Sequence, residues 1–478
     1  MNRGNFFRRA FSILFAISIM TFAAVSHAEI YIGEGSYCMS EGENLGVAKE
    51  RAKADAMRNA CEQAGVYVKS YTRTKNLMLE EDVIETMTAN IIKLVEEPHF
   101  KMLEEVDNLE GIMIRVTVKA QIDDSDIMRW LNNDSNQISD MVSQMETLRK
   151  ANQEQERQIT ELKRQLSFNP YDREKIIKKF ENEDKIFLSN QKVEEATKLW
   201  EKKDFIGVIS LCNEALDLNP NNELAYSRRG TAYMDGLKKY EQAMQDFNNA
   251  IKLNPKFDKA YYNRGVAYFD LGQYELAIKD YNKTIELNSD DFEAYNNRGV
   301  AYRGLKQYEL AIKDYDKAIE LNPNFDLAYN NRGNAYGIQG QYERAIQDFN
   351  KAIELNPNLA DAYYNRGNAY GIQGQKERAI QDYNKAIELN PNLADAYYNR
   401  GNAYGIQGQY ERAIQDFNKT IELNPNYADA YTNRGLVYMY GLKQYEKALK
   451  SFDKALEINP NHTKAKNNRK DCLKKLGR

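Results

Sequence analysis

Asparagine, arginine and aspartate stand at fixed intervals through the second half of this 478-residue chain. Arg264, Arg298, Arg332, Arg366 and Arg400 each follow an Asn, and each has an acid further on: Asp280, Asp314, Asp348, Asp382 and Asp416. A guanidinium takes a carboxylate in a two-pronged geometry, so these sets are expected as repeating ion pairs rather than anion-binding sites. In the last such segment Arg434 meets Ser451 instead, which leaves that Arg without an obvious acid. Catalysis has little raw material. The three His are His27, His99 and His462, no CxxC occurs among the four Cys, and no nucleophile sits beside a base. No enzyme activity, cofactor or metal is expected.

Composition narrows the classes further. At 42% hydrophobic and 28% charged residues with a mean hydropathy of −0.73, the chain is too long for one core and too polar for a membrane protein. The net charge of −4 argues against nucleic acid as a partner, because such binding needs clustered cations.

Residues 1–28 read as a signal peptide: Arg3, Arg8 and Arg9 precede an apolar stretch from Ala10 to Val25, and Ser26-His27-Ala28 is a cleavage-like triplet. The mature chain is then expected in the periplasm or outside the cell, with no membrane span. In that oxidising setting Cys38 and Cys61 are either bridged or free, while Cys212 and Cys472 are expected as buried packing.

Residues 29–131 alternate between periods, as a small α+β domain would. Ile30 to Met39 is expected as a strand and Glu43 to Ala64 as a helix with Ala48, Ala52, Ala56, Ala60 and Ala64 on one seam. Val66 to Met78 is expected to be extended, Glu80 to Leu94 helical, Gly111 to Val118 a strand and Ser125 to Leu131 a closing helix. GEGSY, the five-Ala seam and the V-x-V-x-S-x-T string together resemble the N-terminal domain of flagellar assembly protein T. The resemblance implies association with the cell envelope and supplies no catalytic residue.

Residues 132–167 carry a heptad pattern, with Ile138, Met145, Asn152, Ile159 and Leu166 at one seam position and Met141, Leu148, Gln155 and Leu162 at the other. A self-associating coiled coil, dimeric or trimeric, is expected, with Asn152 and Gln155 fixing register. A single connecting helix is the alternative. Residues 168–188 are expected as a helical linker.

From residue 189 to 462 the chain repeats. Gly265, Gly299, Gly333, Gly367, Gly401 and Gly435 recur every 34 residues, and Pro220, Pro255, Pro323, Pro357, Pro391, Pro425 and Pro460 close successive units. The unit A-Y-x-N-R-G-x-A-Y, a Gly turn, then A-I-x-D-[YF]-x-K-[AT]-I-E-L-N-P resembles the tetratricopeptide repeat. The fold class is therefore mainly α: an α-solenoid of about eight such repeats, preceded by the coiled coil and the α+β domain. Residues 463–478 are expected as a capping helix, with Lys470 where a Gly would otherwise stand.

In that family ligands lie along the concave face lined by the first helix of each repeat. The resemblance places there Asn263, Asn297, Asn331, Asn365, Asn399 and Asn433, preceded by Tyr262, Asn296, Asn330, Tyr364 and Tyr398. Asn334, Asn368 and Asn402 form a second row. An Asn amide donates and accepts together, which suits a peptide backbone, and similar Asn ladders hold peptides in protein O-glycosyltransferases. Bridging between neighbouring repeats is the alternative role. The expected function is a non-enzymatic scaffold that binds a protein or peptide partner in the cell envelope and forms a homo-oligomer. A peptidoglycan or carbohydrate binder is the competing expectation.

Overall fold

The computed structural model describes residues 28–39, 43–74, 92–103, 112–123, 135–168 and 172–477, with Ile84, Met87, Thr88 and Ile127 in addition. The leader, residues 1–27, lies outside them. The chain forms two compact units, residues 1–289 and 290–478.

The first unit begins with an antiparallel sheet. Strand β4 (Ile112–Asp123) pairs with β1 (Ala28–Met39) on one side and with β2 (Lys93–Leu94) and β3 (His99–Leu103) on the other. Its alternate residues Ile114, Val116, Val118, Ala120 and Ile122 are buried against helix α1 (Leu45–Thr74), as the two-residue period of a strand requires. Gly33 and Gly35 make this packing close: a Cβ at Gly33 would stand 2.0 Å from the Ala56 carbonyl oxygen, and one at Gly35 2.3 Å from the Ala56 nitrogen. Side chains of α1 also cover the outer edge of β1. Asp55 accepts from the Ser36 N–H, while Asn59 and Gln63 donate to the Glu34 and Ile32 carbonyls. Polar groups that would otherwise invite another strand are thereby satisfied.

Two expectations are corrected here. The segment from Val66 is helical to Thr74, because Val68 extends the i+4 seam of alanines into the same core, and that packing outweighs β propensity. Ile84, Met87 and Thr88 are helical, but Lys93 and Leu94 belong to a strand registered on Gln121 and Ala120. Of the expected closing helix only Ile127 is described, helical and buried.

Cys38 and Cys61 are both free thiols. Gly33 lies over Ala56 and Ala60 and Gly35 over Ala52 and Ala56, so β1 runs opposite to α1. Cys61 is thus near Gly33, five residues from Cys38; at about 3.3 Å per strand residue that is roughly 16 Å. A disulfide needs Cα atoms within about 7 Å.

Helices α2 (Ser135–Phe168) and α3 (Arg173–Glu201) form an antiparallel hairpin. The described part of the expected coiled-coil seam therefore has a partner within the same chain. Ile159, Leu162 and Leu166 pack on Ile176 and Phe180, and Leu148 packs on Val193. Gln155 donates to the Glu183 carbonyl at 2.7 Å, and the Asn152 carbonyl accepts from Asn190. The heptad seam is real, but α3 supplies its second side, so no second copy is required to bury it. The side chains of Ile138, Met141 and Met145 lie outside the described residues.

The N-terminal domain docks on this hairpin through a buried polar cluster. Arg51 reaches Asp184 at 2.9 Å and Glu43 at 3.4 Å, Tyr37 donates to Glu43 at 2.6 Å, and Lys163 donates to the Cys38 carbonyl. Burial raises the Asp184 pKa against the pull of Arg51, and burial lowers that of Lys163 against the pull of Glu43.

Residues 173–188, expected as part of a helical linker, are helical, and their helix α3 continues without a break to Glu201. Trp200, near its end, meets Phe205 edge-on at 5.1 Å as α3 packs on α4 (Phe205–Leu218). The paired helices that follow in this unit are α5 (Glu223–Thr231) with α6 (Tyr240–Leu253), and α7 (Asp258–Asp270) with α8 (Tyr274–Leu287).

The second unit holds five further pairs: α9 (Phe292–Gly304) with α10 (Tyr308–Leu321), α11 (Asp326–Ile338) with α12 (Tyr342–Leu355), α13 (Ala360–Ile372) with α14 (Lys376–Leu389), α15 (Ala394–Ile406) with α16 (Tyr410–Leu423), and α17 (Ala428–Leu436) with α18 (Tyr445–Ile458). Helix α19 (Thr463–Lys475) packs on α18. The first helix of each pair is called A, the second B. A Cβ at Gly367 would lie 2.8 Å from the Tyr383 ring, so only Gly lets the B-helix aromatic fill the gap. Two repeats, each with one extra residue, absorb it as a π turn at the end of helix A: Ala232–Gly236 after α5 and Val437–Gly441 after α17.

Candidate functional site

The Asn-Arg-Gly string on each A helix divides its labour by side chain. Arg points toward helix B. In residues 290–478, Arg298, Arg332, Arg366 and Arg400 hold Asp314, Asp348, Asp382 and Asp416 through Nε and Nη2 at 2.6–2.9 Å. Arg229 with Asp246 and Arg264 with Asp280 do the same in the first unit. A third bond leaves from Nη1 to the preceding B helix, as from Arg366 to Asn350 at 2.6 Å and from Arg400 to Asn384 at 2.7 Å. These guanidinium groups are structural ties. They are not available to an anion.

Arg434 is the exception. It donates to Ser451 at 3.3 Å and to Asn418 at 2.7 Å; among the described residues no carboxylate pairs with it, and burial lowers its pKa.

Asn points the other way, along the row of A helices. Asn331 donates through Nδ2 to Asn296 at 3.0 Å and Asn365 donates to Asn330 at 3.2 Å. Where Tyr replaces the preceding Asn, the rung changes partner. Asn399 donates to Asn368 and to the Tyr364 hydroxyl, and Asn433 donates to Asn402 and to the Tyr398 hydroxyl. Asn296 also donates to Asn297, and Asn433 accepts from Lys464 at 2.9 Å. In the first unit Asn263 reaches Thr231 at 3.5 Å, and Tyr262 lies against Tyr281 with ring centroids 6.0 Å apart. The ladder therefore bridges repeats.

Bridging uses only half of each amide. Among the described residues no donor in the chain reaches the Oδ1 of Asn331, Asn365 or Asn399, and Asn334 makes no hydrogen bond within the chain. These groups are half-buried and remain accessible to a ligand. Tyr398 stacks on Tyr427 at 5.0 Å, whose hydroxyl donates to Asp395 at 2.7 Å.

One row escaped the sequence. Ile338, Ile372, Ile406 and Tyr440 stand 34 residues apart at the ends of the A helices and are 52–66% exposed. The thrice-repeated G-I-Q-G-Q string carried the signal. It gave no sign of which way Ile faces, because a lone aliphatic at a helix end serves core and surface equally. No group of acids, His or Cys suited to a metal occurs among the described residues, and no described helix is long and apolar enough to cross a membrane.

Helix pairs stacked in register, tied by Arg–Asp pairs and bridged by Asn, define a helical-repeat interaction protein. The tetratricopeptide repeat model matches residues 258–291, 292–325, 360–393, 394–427 and 428–462, with related models of the same repeat at 237–272, 314–347 and 333–374. Similar solved structures include YrrB, described as "a TPR protein with an unusual peptide-binding site", at 32% identity, covering 40% of this chain and 97% of that one with a TM-score of 0.35. MamA is 30% identical over 34% of this chain and 96% of its own, with a TM-score of 0.32. A repeat protein from Parabacteroides merdae is 25% identical over 52% and 98%, with a TM-score of 0.43. No match was found among curated protein sequences. The chain belongs to the tetratricopeptide repeat family, and its array is a protein-interaction scaffold.

Proposed function

We propose that the protein is a non-enzymatic scaffold of the cell envelope that binds an extended segment of a partner polypeptide across its A helices. The half-used amide ladder carries this reading. Asn331, Asn365 and Asn399 are fixed by the preceding repeat through Nδ2, so each carbonyl oxygen is held ready for a backbone N–H without further ordering cost. Asn334 adds a whole amide. Export rests on the basic and apolar leader of residues 1–28, and docking of the N-terminal domain at the envelope follows from the sequence pattern of residues 29–131.

The test is retention of polypeptides from solubilised cell envelopes by the mature protein and by Asn334→Ala. That substitution breaks no bond in the chain, so unfolding should be unchanged while captured partner falls severalfold. Equal capture by both proteins would overturn the ladder as the binding element. Pelleting with purified sacculi, with no polypeptide retained, would replace the reading with a peptidoglycan binder.

A further inference from the structure

The A-helix face of residues 290–478 is not uniform from edge to edge. Along α13, Asp361, Asn365, Asn368 and Ile372 follow one another at four- and three-residue steps, and along α15 so do Asp395, Asn399, Asn402 and Ile406. Residues at these steps share one side of a helix. Each rung thus runs from an exposed carboxylate through amides to an exposed isoleucine, and Asp429, Asn433 and Tyr440 repeat the order in the next repeat. Among the described residues Asp361 has no hydrogen-bond or ion-pair partner; Asp395 accepts from Tyr427, and Asp429 faces His462 at 3.0 Å. The position of Asp361 holds Glu293 in α9, Leu327 in α11 and Lys464 in α19.

The apolar edge also carries glycines that the packing tolerates but does not need. Gly337, Gly371 and Gly405 precede the three isoleucines, and a Cβ there would meet only ordinary contacts at 3.5–4.0 Å. The same position holds Phe269 and Arg303 in other repeats, so the fold does not require Gly at it. Gly333, Gly367 and Gly401 differ, since a Cβ would press to 2.8–3.0 Å of an aromatic ring. Three glycines that packing does not demand thus stand beside a row of exposed isoleucines, which recurs repeat after repeat instead of being scattered singly.

We propose that this face selects its partner by two opposed edges: the ligand is an extended segment with Lys or Arg along one side, facing Asp361, Asp395 and Asp429, and aliphatic or aromatic side chains along the other, seated on Ile338, Ile372, Ile406 and Tyr440. The inference rests on the reading of the A-helix face as a polypeptide site. It adds the chemistry of the polypeptide. Opposite charge fixes orientation and apolar seating supplies affinity.

The experiment uses the full mature chain and three labelled twelve-residue peptides, one alternating Lys with Leu, one alternating Glu with Leu, and one of Ser and Asn, read by fluorescence anisotropy. The Lys/Leu peptide should bind at least tenfold more tightly than the other two. Asp361→Asn, Asp395→Asn and Asp429→Asn together should erase its preference over Glu/Leu. Ile338→Ser, Ile372→Ser and Ile406→Ser together should weaken it at least tenfold at an unchanged melting temperature. Gly337→Ala, Gly371→Ala and Gly405→Ala together should weaken it as well while leaving melting equal or higher, a combination that damage to the fold cannot produce.

If all three peptides bind equally and lose affinity with Asn334→Ala, the two-edge proposal falls while the polypeptide site stands. If none binds, both fall. If light scattering shows a dimer that the Ile→Ser variant dissociates, the apolar row is a self-association surface and the proposal is overturned.

Discussion

In the N-terminal domain Gly33 and Gly35 bring a helix backbone onto a strand, whereas in the repeats Gly333, Gly367 and Gly401 admit an aromatic ring between two helices. Both are close approaches, but what lies opposite the glycine differs. Ala56 offers backbone atoms at 2.0 and 2.3 Å, which cannot yield without moving α1, while Tyr383 offers a ring edge at 2.8 Å. Close packing held by backbone is brittle, and close packing held by a side chain has some give.

The largest effect should therefore come from Gly33→Ala. Displacing α1 from β1 breaks the alanine seam and the three bonds that cover the strand edge, at a cost of about 3 kcal/mol or more. Limited proteolysis should show cleavage within residues 28–123 while the repeats stay resistant. Gly367→Ala should cost less, about 1–3 kcal/mol, because the Tyr383 ring can shift. Equal losses in the two variants, measured by denaturant unfolding, would erase the distinction.

A second contrast lies within the repeats. Arg400 is neutralised by Asp416 in a two-pronged pair, while Arg434 meets the hydroxyl of Ser451, the side-chain oxygen of Asn418 and the Tyr431 ring. Removing one partner of a buried pair typically costs about 3–5 kcal/mol, yet the reverse step of adding a carboxylate returns less because the new charge must itself be desolvated. Ser451→Asp should raise the stability of the last repeat by about 1 kcal/mol. Hydrogen exchange in α17 and α18 would report it, and faster exchange there would show that desolvating the added carboxylate outweighs the pair it forms, since Arg229 and Asp246 meet across the same kind of π turn.

The same contrast explains what could be read from the residues alone. The ion pairs and the Asn rows were legible because each recurs with the period of the repeat, and periodicity reports contacts between like elements. Asn331 and Asn365 are rungs for that reason. Contacts between unlike elements left weaker traces. The seam of Leu148, Gln155, Ile159 and Leu162 announced a partner helix without saying whose, and α3 of the same chain is the answer. Val66 to Thr74 has strand-forming residues, and only the position of Val68 on the alanine stripe places them on a helix.

The smallest effect concerns the thiols. Were Cys38 and Cys61 bridged, they would close a loop whose constraint on the unfolded chain is worth about 3 kcal/mol, and reductant would lower the melting temperature by several degrees. In the structure Cys38 sits toward the Lys163 end of β1 and Cys61 toward the Gly33 end, where burial raises its pKa to about 11. A thiol so protonated is also a poor nucleophile at neutral pH. Melting with and without dithiothreitol should then agree within a degree, and denatured protein purified without reductant should titrate all four cysteines. A loss of two thiols together with reductant-sensitive melting would require α1 to slide along β1 by several residues, a shift that the side chains of Asp55, Asn59 and Gln63 on the strand edge oppose.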